Sequence, residues 1–383
     1  MTYCSEPYKQ IHFDSQGNLG PCCQFIGARP DVNGFDEYLS SSWLTDLKIR
    51  LDNGERVAGC KFCWQQEDIG ATSMRMRRNN YYQSKPDSGI EHLMITYGNQ
   101  CNTACRVCNA SRSSLIEKQY NHMKPTLTDD NLIALVNKPH AWNKSKTWYK
   151  AINDGIIEKS DHIRKLEISG GEPFINVHFD RLIDGLLSSG KTLPGINVTT
   201  NGSFTEDQIG KLQKFNHTHI NFSIDGTGEK FYEYLRWPLM WDEARDKIEI
   251  LKKNPWLSCE FVIVPHNLNL LNLVESIIWL KEVTEYDERF KIGFSWLNGA
   301  PWYKIDNSPN WVREKVVAEL ESIILVDYTD QEQEQINELI RILKTTQLPS
   351  DLSMLKSHVE MTDTYRGSNT WDVIGWHYDE IMA

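Results

Sequence analysis

The sequence is short of the features that would put it in a membrane or on nucleic acid. No apolar run approaches the roughly eighteen residues that a membrane-spanning helix needs, and the first residues lack the apolar core of a secretory signal. A cytoplasmic protein with no membrane partner is the expectation. Positive charge is scarce: 41 Lys and Arg stand against 52 Asp and Glu, a formal net charge of −11. That balance opposes broad binding to a phosphate backbone, so nucleic acid is not an expected partner. The one local exception is Arg75-Met76-Arg77-Arg78. Its ordinary reading is a solvated helix or loop face, and its functional reading is a substrate clamp. Around residue 100 the two separated cysteine pairs of a zinc ribbon are missing, and no cysteine follows Cys108 until Cys259.

Against these absences stand 383 residues, enough to bury a large core and to form two domains, and nine cysteines. In an intracellular chain, cysteines in that number read as metal or redox ligands rather than disulfides. Thirteen tryptophans fill cores as readily as they line pockets, and no function is drawn from them. Three of the cysteines fall in Asn99-Gln100-Cys101-Asn102-Thr103-Ala104-Cys105-Arg106-Val107-Cys108. Three thiolates in so short a span can hold three corners of a 4Fe–4S cubane, which ordinarily takes four cysteines. The fourth iron is then open to a small-molecule ligand, as a catalytic metal keeps one open position.

After residue 90 short apolar runs alternate with amphipathic helices. The runs are 93–97, 166–169, 196–200, 220–224, 261–264 and 292–296; the helical patterns include 179–189, 205–215, 241–253 and 270–283. Thr205 with Gln208 makes a capping box, and Gly190 suits a helix C-cap. Such alternation implies right-handed crossovers and a parallel sheet. Each run ends in a polar or glycine-containing segment: the cysteine loop, Gly170-Gly171-Glu172-Pro173, Asn201-Gly202, Asp225-Gly226, Pro265-His266-Asn267 and Leu297-Asn298-Gly299. In parallel α/β barrels the reactive groups lie on the loops after the C-terminal ends of the strands, so these segments would surround one mouth. Singly they are common turns; their order after a cysteine triple is the signal. Residues 109–162 exceed what one crossover helix needs and read as an insertion. Two amphipathic helices follow at 311–326 and 331–345, then a tail through residues 362–367 that would close the open side of the barrel or cover the substrate.

The Cys-x-x-x-Cys-x-x-Cys run resembles the signature of the radical S-adenosylmethionine (SAM) enzymes, with Val107 where that family usually has an aromatic residue. The resemblance implies an open iron chelated by the amino and carboxylate groups of SAM, with the backbone of Val107 holding adenine. It implies that Gly170, Gly171 and Glu172 receive the SAM amino group, for which close-lying backbone carbonyls suit an ammonium. It places Ser223 and Asp225 at ribose or carboxylate contacts, Asn201 similarly, and Arg236 at the SAM carboxylate, where a guanidinium fork fits. A surface arginine on a helix is the equal alternative for Arg236. Val262 and Val264 would flank adenine or pack in the core. The implied fold is α/β, a partial (β/α)6 radical SAM barrel at 89–300 with a C-terminal helical extension at 301–383.

Residues 1–88 carry Cys4, Cys22, Cys23, Cys60 and Cys63. Cys4, Gly17, Cys22 and the Cys60–Cys63 pair resemble the auxiliary-cluster modules named SPASM and, in the shorter form, twitch, here ahead of the barrel rather than after it. Residues 11–13 followed by Asp14-Ser15-Gln16-Gly17-Asn18 read as a strand and turn that bring Cys4 and Cys22 together. Four thiolates can ligate a second, auxiliary 4Fe–4S cluster or a zinc ion; the cysteine triple tips the choice toward iron–sulfur. Cys23 is a spare, a substitute ligand or packing, and Cys259 a core residue. The resemblance implies an enzyme that reductively cleaves SAM to a 5′-deoxyadenosyl radical and abstracts hydrogen from a peptide or protein side chain, with an electron donor such as flavodoxin or ferredoxin. Dehydrogenation of a small alcohol or sugar-like metabolite is the alternative enzyme reading, and a non-enzymatic iron–sulfur or zinc protein for binding or redox sensing is the rival from another class.

Overall fold

Burial alternates residue by residue along three of the strands. In Leu257–Ile263 the side chains of Leu257, Cys259, Phe261 and Ile263 are buried and those between them half-buried, and Gly195–Thr200 and His217–Ser223 alternate in the same way. A period of two gathers the apolar set on one face of the sheet and leaves the other face polar. The computed structural model describes residues 2–68, 72–83, 89–137, 146–191, 193–297, 300–323, 327–345 and 353–375. It is an α/β fold on an eight-stranded, mostly parallel sheet. The strands are β1 (Gln10–Phe13), β2 (Leu19–Gly20), β3 (His92–Tyr97), β4 (Lys165–Gly170), β5 (Gly195–Thr200), β6 (His217–Ser223), β7 (Leu257–Ile263) and β8 (Phe290–Phe294). The chain divides into two compact units, one of Met1–Gln100, Ala141–Thr199 and Thr205–Thr218, the other of Cys101–His140, Thr200–Phe204 and His219–Ala383.

In the first unit the strands run in the order β2-β1-β3-β4-β5. The β1–β2 pair is an antiparallel hairpin. Asp14 builds its turn: the backbone N–H donates to Asn18 O and the carboxylate accepts from the N–H groups of Gln16 and Asn18, while Gly17 takes a φ of 77°. β1 pairs in parallel with β3, Ile11 opposite Leu93, and β3 with β4, Leu93 opposite Leu166. Ile11, Leu93, Leu166 and Val198 are wholly buried and make the centre of this core. The helices Lys146–Lys159 and Val177–Ser188 are tied through Asn153, which accepts from the Tyr97 hydroxyl and donates to His178 O at 2.8 Å.

In the second unit β7 and β8 pair in parallel, Cys259 opposite Phe290 and Phe261 opposite Ile292. An edge strand has unpaired N–H groups that must find partners. The helix Asp330–Thr345 supplies them: Glu332 accepts from Ile292 N at 2.9 Å and Gln335 from Phe294 N at 2.6 Å. Glu332 also forms a buried ion pair with Lys281, at 3.1 Å, on the helix Leu270–Val283. The same carboxylate accepts from the N–H and hydroxyl of Thr329, so its lone pairs are filled. The helix Asp330–Thr345 thus covers this edge of the sheet.

The six expected strands appear as β3 to β8 within a few residues, and the insertion holds the helices Ser114–Met123, Asp130–Val136 and Lys146–Lys159. The expected boundaries at 88 and 300 do not coincide with the two units, and the hairpin expected in a domain apart has β1 in register beside β3. The pattern at 311–326 is the helix Asn310–Ser322; residues 324–326, together with Asn298 and Gly299 of the sixth strand-end segment, lie outside the described residues. Gly190, with φ 67°, follows Ser189 at the end of Val177–Ser188, and the Thr205–Gln208 capping box is present. Cys259 is wholly buried, the core residue expected.

Two stability predictions follow from these packing details. Replacing Glu332 with Gln leaves the buried Lys281 charge without its counter-ion and should lower unfolding stability by about 3–5 kcal/mol, read from urea denaturation; an unchanged midpoint would show that the pair is dispensable. His358 is buried between the hydroxyls of Tyr303 (2.9 Å from Nδ1) and Tyr120 (3.2 Å from Nε2). Burial first, then the nearby Arg366 and Arg106, push its pKa down to about 3. The unfolded chain then binds the proton more tightly, so stability should fall as pH drops below about 6.5 toward 3, with a limiting slope near 1.4 kcal/mol per pH unit from this group. His358→Gln should flatten that part of the urea-midpoint profile; an unaltered slope would mean that other groups carry it.

Candidate active site

The segment from Cys101 to Ser113 forms neither helix nor strand, so its backbone groups need partners from elsewhere. Ala104 N donates to Trp237 O at 2.7 Å and Arg106 N to Leu235 O at 2.9 Å. Cys101 N donates to the Ser114 hydroxyl at 3.1 Å, and Cys108 N to Cys105 O at 3.1 Å. Cys101, Cys105 and Cys108 are free thiols of intermediate exposure, and Val107 beside them is half-buried. The Thr103 hydroxyl lies 3.1 Å from Cys101 Sγ and 3.6 Å from Cys105 Sγ. Asn201 reaches the same group, its amide 2.9 Å from Asn102 Oδ1, 3.4 Å from the Thr103 hydroxyl and 3.9 Å from Cys101 Sγ. Burial pushes the Cys108 thiol up to about 12, and the neighbouring Cys105 and Cys101 add to the shift. Mutual repulsion of this kind is relieved when a metal takes the thiolates, with release of their protons.

Arg106 holds the loop from behind. It is 1 % exposed, its guanidinium lies 3.9 Å from the centre of the Tyr234 ring, and it bonds to Thr362, Asp363 and Ser368. Burial works against its charge, but Tyr234, Tyr303 and Asp363 more than offset that and keep it cationic.

Asp225 follows β6 with φ 58°, a backbone conformation that favours Asn and Asp among side-chain-bearing residues. Its Oδ1 accepts from Val264 N at 3.0 Å, its Oδ2 from Arg236 at 2.6 Å, and its carbonyl from Asn269 at 2.8 Å. Arg236 is buried, not on the surface, and burial opposes its charge; Cys105, then Asp225 and Tyr232, raise its pKa and hold it charged. Its Nε is buried with no hydrogen-bond partner among the described residues. An orphaned donor on a buried guanidinium fits an anionic group such as a carboxylate. Ser223 ends β6, half-buried, and Val262 faces the half-buried side of β7.

In the first unit the Gly170–Pro173 segment folds onto residues 97–100. Gly170 has φ 149°, and a Cβ on Gly171 would lie 2.1 Å from Gln100 O, so only glycine allows this approach. Gly171 N donates to Gly98 O and Glu172 N to Gln100 O, both at 2.8 Å. Glu172 is 1 % exposed and its carboxylate caps the next turn by accepting from Phe174 N.

Also in the first unit, Cys4, Cys22 and Cys60 share one apolar cluster with Phe25, Leu47, Leu51, Val57 and Trp64. Cys63 lies on the helix Lys61–Asp68 just after Cys60. Burial raises the Cys4 thiol, and Cys60 and Cys63 are among the charges it feels; Cys22 is raised by burial, then by Cys23 and Cys4. Cys4, Cys22 and Cys60 thus pack together, and Cys23 is exposed. Neither reading of Arg75–Arg78 holds for the whole cluster. Arg75 is buried, bonds bidentately to Glu67 at 3.0 and 2.6 Å, and donates to Tyr3 O at 2.6 Å, which ties the Cys4 segment to the Cys60–Cys63 helix. Arg78 lies 3.5 Å from the buried Glu6 and 3.8 Å from Glu167. These are internal counter-charges, which charge runs in sequence do not distinguish from a solvated face.

Among the described residues no three His, Cys, Asp or Glu side chains converge on a point that one metal ion could occupy. Ligands of a single ion all lie about 2–2.3 Å from it; thiolates of a cubane bind separate irons and need not converge so. The donor chemistry of each cysteine set, three thiols and four thiols, fits an iron–sulfur group. The sequence reading missed Thr103, Arg106 and Asn269. Thr103 and Arg106 sit inside the cysteine run, where only the cysteines attract notice, and Asn269 signals itself faintly as a polar residue in a loop before an apolar helix.

Comparison with known proteins bears on this geometry. The model of the radical SAM superfamily matches residues 95–278. Two similar curated proteins are a probable GTP 3′,8-cyclase of Methanococcus maripaludis, 27 % identical over 124 residues (32 % of this chain, 39 % of that protein), and the GTP 3′,8-cyclase of Brucella ovis, 29 % identical over 152 residues (39 % and 37 %). The chain thus spans under two fifths of the curated relatives it matches. Among solved structures, Streptococcus suis SuiB bound to S-adenosylmethionine matches with TM-score 0.39 at 13 % identity, covering 64 % of this chain and 48 % of that one. Native anSMEcpe with bound AdoMet matches with TM-score 0.40 at 15 % identity, covering 59 % and 58 %. The superfamily match, over just under half of the chain, identifies residues 95–278 as a radical SAM domain, and that span holds the cysteine triple, Gly170–Glu172, Asn201, Asp225 and Arg236.

Proposed function

We propose that the chain cleaves SAM reductively and uses the product to abstract hydrogen from a peptide or protein side chain, with an auxiliary cluster at its front cysteines. When bound, the 4Fe–4S cluster supplies the electron that splits SAM into methionine and a 5′-deoxyadenosyl radical, which takes the substrate hydrogen. Cys101, Cys105 and Cys108 are the ligands, and Thr103 and Asn201 hold the loop beside the first two thiols. Gly170 and Gly171 offer backbone carbonyls to the SAM ammonium. Glu172 serves its own turn, so its part is to fix that backbone. Asp225, with both oxygens engaged, orients Arg236 rather than binding ribose freely. Arg236 then receives the SAM carboxylate. The observation that carries the reading is the buried, partnerless Arg236 Nε on a guanidinium whose charge Cys105 favours.

The peptide class rests on the twitch-like spacing of Cys4, Cys22, Cys60 and Cys63 and on the packing of Cys4, Cys22 and Cys60 in one cluster. With four cysteine ligands the auxiliary cluster has no open iron, so its role is to accept or relay an electron, with flavodoxin or ferredoxin as the class of external donor. The name of the curated relatives suggests a purine nucleoside triphosphate instead. Anaerobic turnover with deuterated candidate peptides and, separately, with deuterated GTP tests the choice: deuterium in 5′-deoxyadenosine only with peptide supports the proposal, and only with GTP overturns it.

Variants test the metal assignment. Cys105→Ala should abolish dithionite-dependent 5′-deoxyadenosine formation while iron remains at the front site; full activity would remove the triple from the reaction. Cys63→Ala should spare uncoupled SAM cleavage and block substrate turnover; normal turnover would make the front metal dispensable. Arg236→Met should raise the KM for SAM by about ten- to a hundredfold, the loss of charge-assisted hydrogen bonds; an unchanged KM would deny it the carboxylate.

A further inference from the structure

Three guanidiniums lie against the cysteine loop or the residues that hold it, Arg106 and Arg236 buried and Arg366 half-buried, and their counter-charges are uneven. Arg106 has Asp363, and Arg236 has Asp225. Arg366, the last residue of the helix Ser353–Arg366, has a neutral amide: its Nε and one Nη donate to Gln119 Oε1 at 3.2 and 3.0 Å. Its other Nη is buried with no partner among the described residues. Gln119 itself is wholly buried on Ser114–Met123, the helix that follows the cysteine loop. The Arg366 guanidinium lies 5.5 Å from the centre of the Trp237 ring, and Trp237 O accepts from Ala104 N, next to Cys105. A basic residue in the last turn of a helix is ordinary when it points to water; this one is turned inward against the residue that holds the loop.

A buried charge without a counter-ion is costly unless an anion completes it. Burial, then Arg106, push the Arg366 pKa down to about 10, which still leaves it charged at neutral pH, and Cys105 is among the groups that favour that charge. An iron–sulfur group held by thiolates is the anion that the surroundings lack, and nearby charge and hydrogen bonding are what set its potential. We propose that Arg366 is a positioning residue for the cysteine loop, its uncompensated charge raising the reduction potential of the cluster bound by Cys101, Cys105 and Cys108. The inference rests on the cluster assignment above and adds a role for a helix beyond the residues that the superfamily model matches.

The test is an EPR-monitored redox titration of the anaerobically reconstituted full chain. Arg366→Gln removes the charge. Gln119→Glu keeps the arginine and places a carboxylate against it, an isosteric second route to the same neutralisation should the first variant fold poorly. Both should shift the midpoint of the loop-bound cluster to more negative potential, and Arg366→Lys should restore it toward the parent value. Parent-like midpoints in both Arg366→Gln and Gln119→Glu would overturn the inference, since a merely structural arginine leaves the potential alone. A parent protein with no 4Fe–4S signal from the triple would instead refute the cluster assignment, before any variant is compared.

Discussion

Everything proposed for this chain depends on a loop that cannot hold its own shape. From Cys101 to Ser113 the backbone has no helical or sheet ladder, yet three thiols must keep fixed places along it. The shape is imposed from outside: two N–H groups dock on residues 235 and 237, and the Arg106 side chain is stacked on Tyr234 and clasped by Thr362, Asp363 and Ser368. Arg106 is placed between two candidate ligands, so its contacts with Tyr234, Thr362, Asp363 and Ser368 anchor the backbone that carries them. Leaving so large a cation buried is tolerable only because each of its donors is matched.

Electrostatics around the loop follow from that packing. Cationic side chains are collected where thiolates would lie, and the carboxylates among them are engaged with arginines or backbone N–H groups. Asp225 illustrates the economy: one carboxylate fixes Val264 and aims Arg236, while its carbonyl holds Asn269. In the first unit the Gly170–Glu172 turn is shaped by sterics instead, by backbone approaching backbone at a distance no side chain permits.

Much of this was legible in the residues. Short apolar runs alternating with amphipathic helices located β3 to β8, because strands that pack into a core carry their burial in a local apolar stretch. The cysteine spacing and the glycine pair are short-range signals and were read directly. What stayed hidden was long-range. That β1 would lie beside β3 depends on pairing across some eighty intervening residues, which no local pattern encodes. The charge run at Arg75–Arg78 looked solvated because its partners Glu67, Glu6 and Glu167 are scattered along the chain. Arg106 was hidden for the same reason: Asp363 and Ser368 lie more than 250 positions away. The two oxygens of Asp225 were expected to meet a ligand, and only the fold reveals that Arg236 and Val264 already take them.

The most direct measurement is Mössbauer and EPR spectroscopy of the anaerobically reconstituted protein with and without SAM. The account predicts a 4Fe–4S signal that disappears when Cys101, Cys105 and Cys108 are replaced and whose EPR line shape changes on adding SAM. Iron confined to the thiols of residues 4–63, with a spectrum indifferent both to that replacement and to SAM, would contradict it.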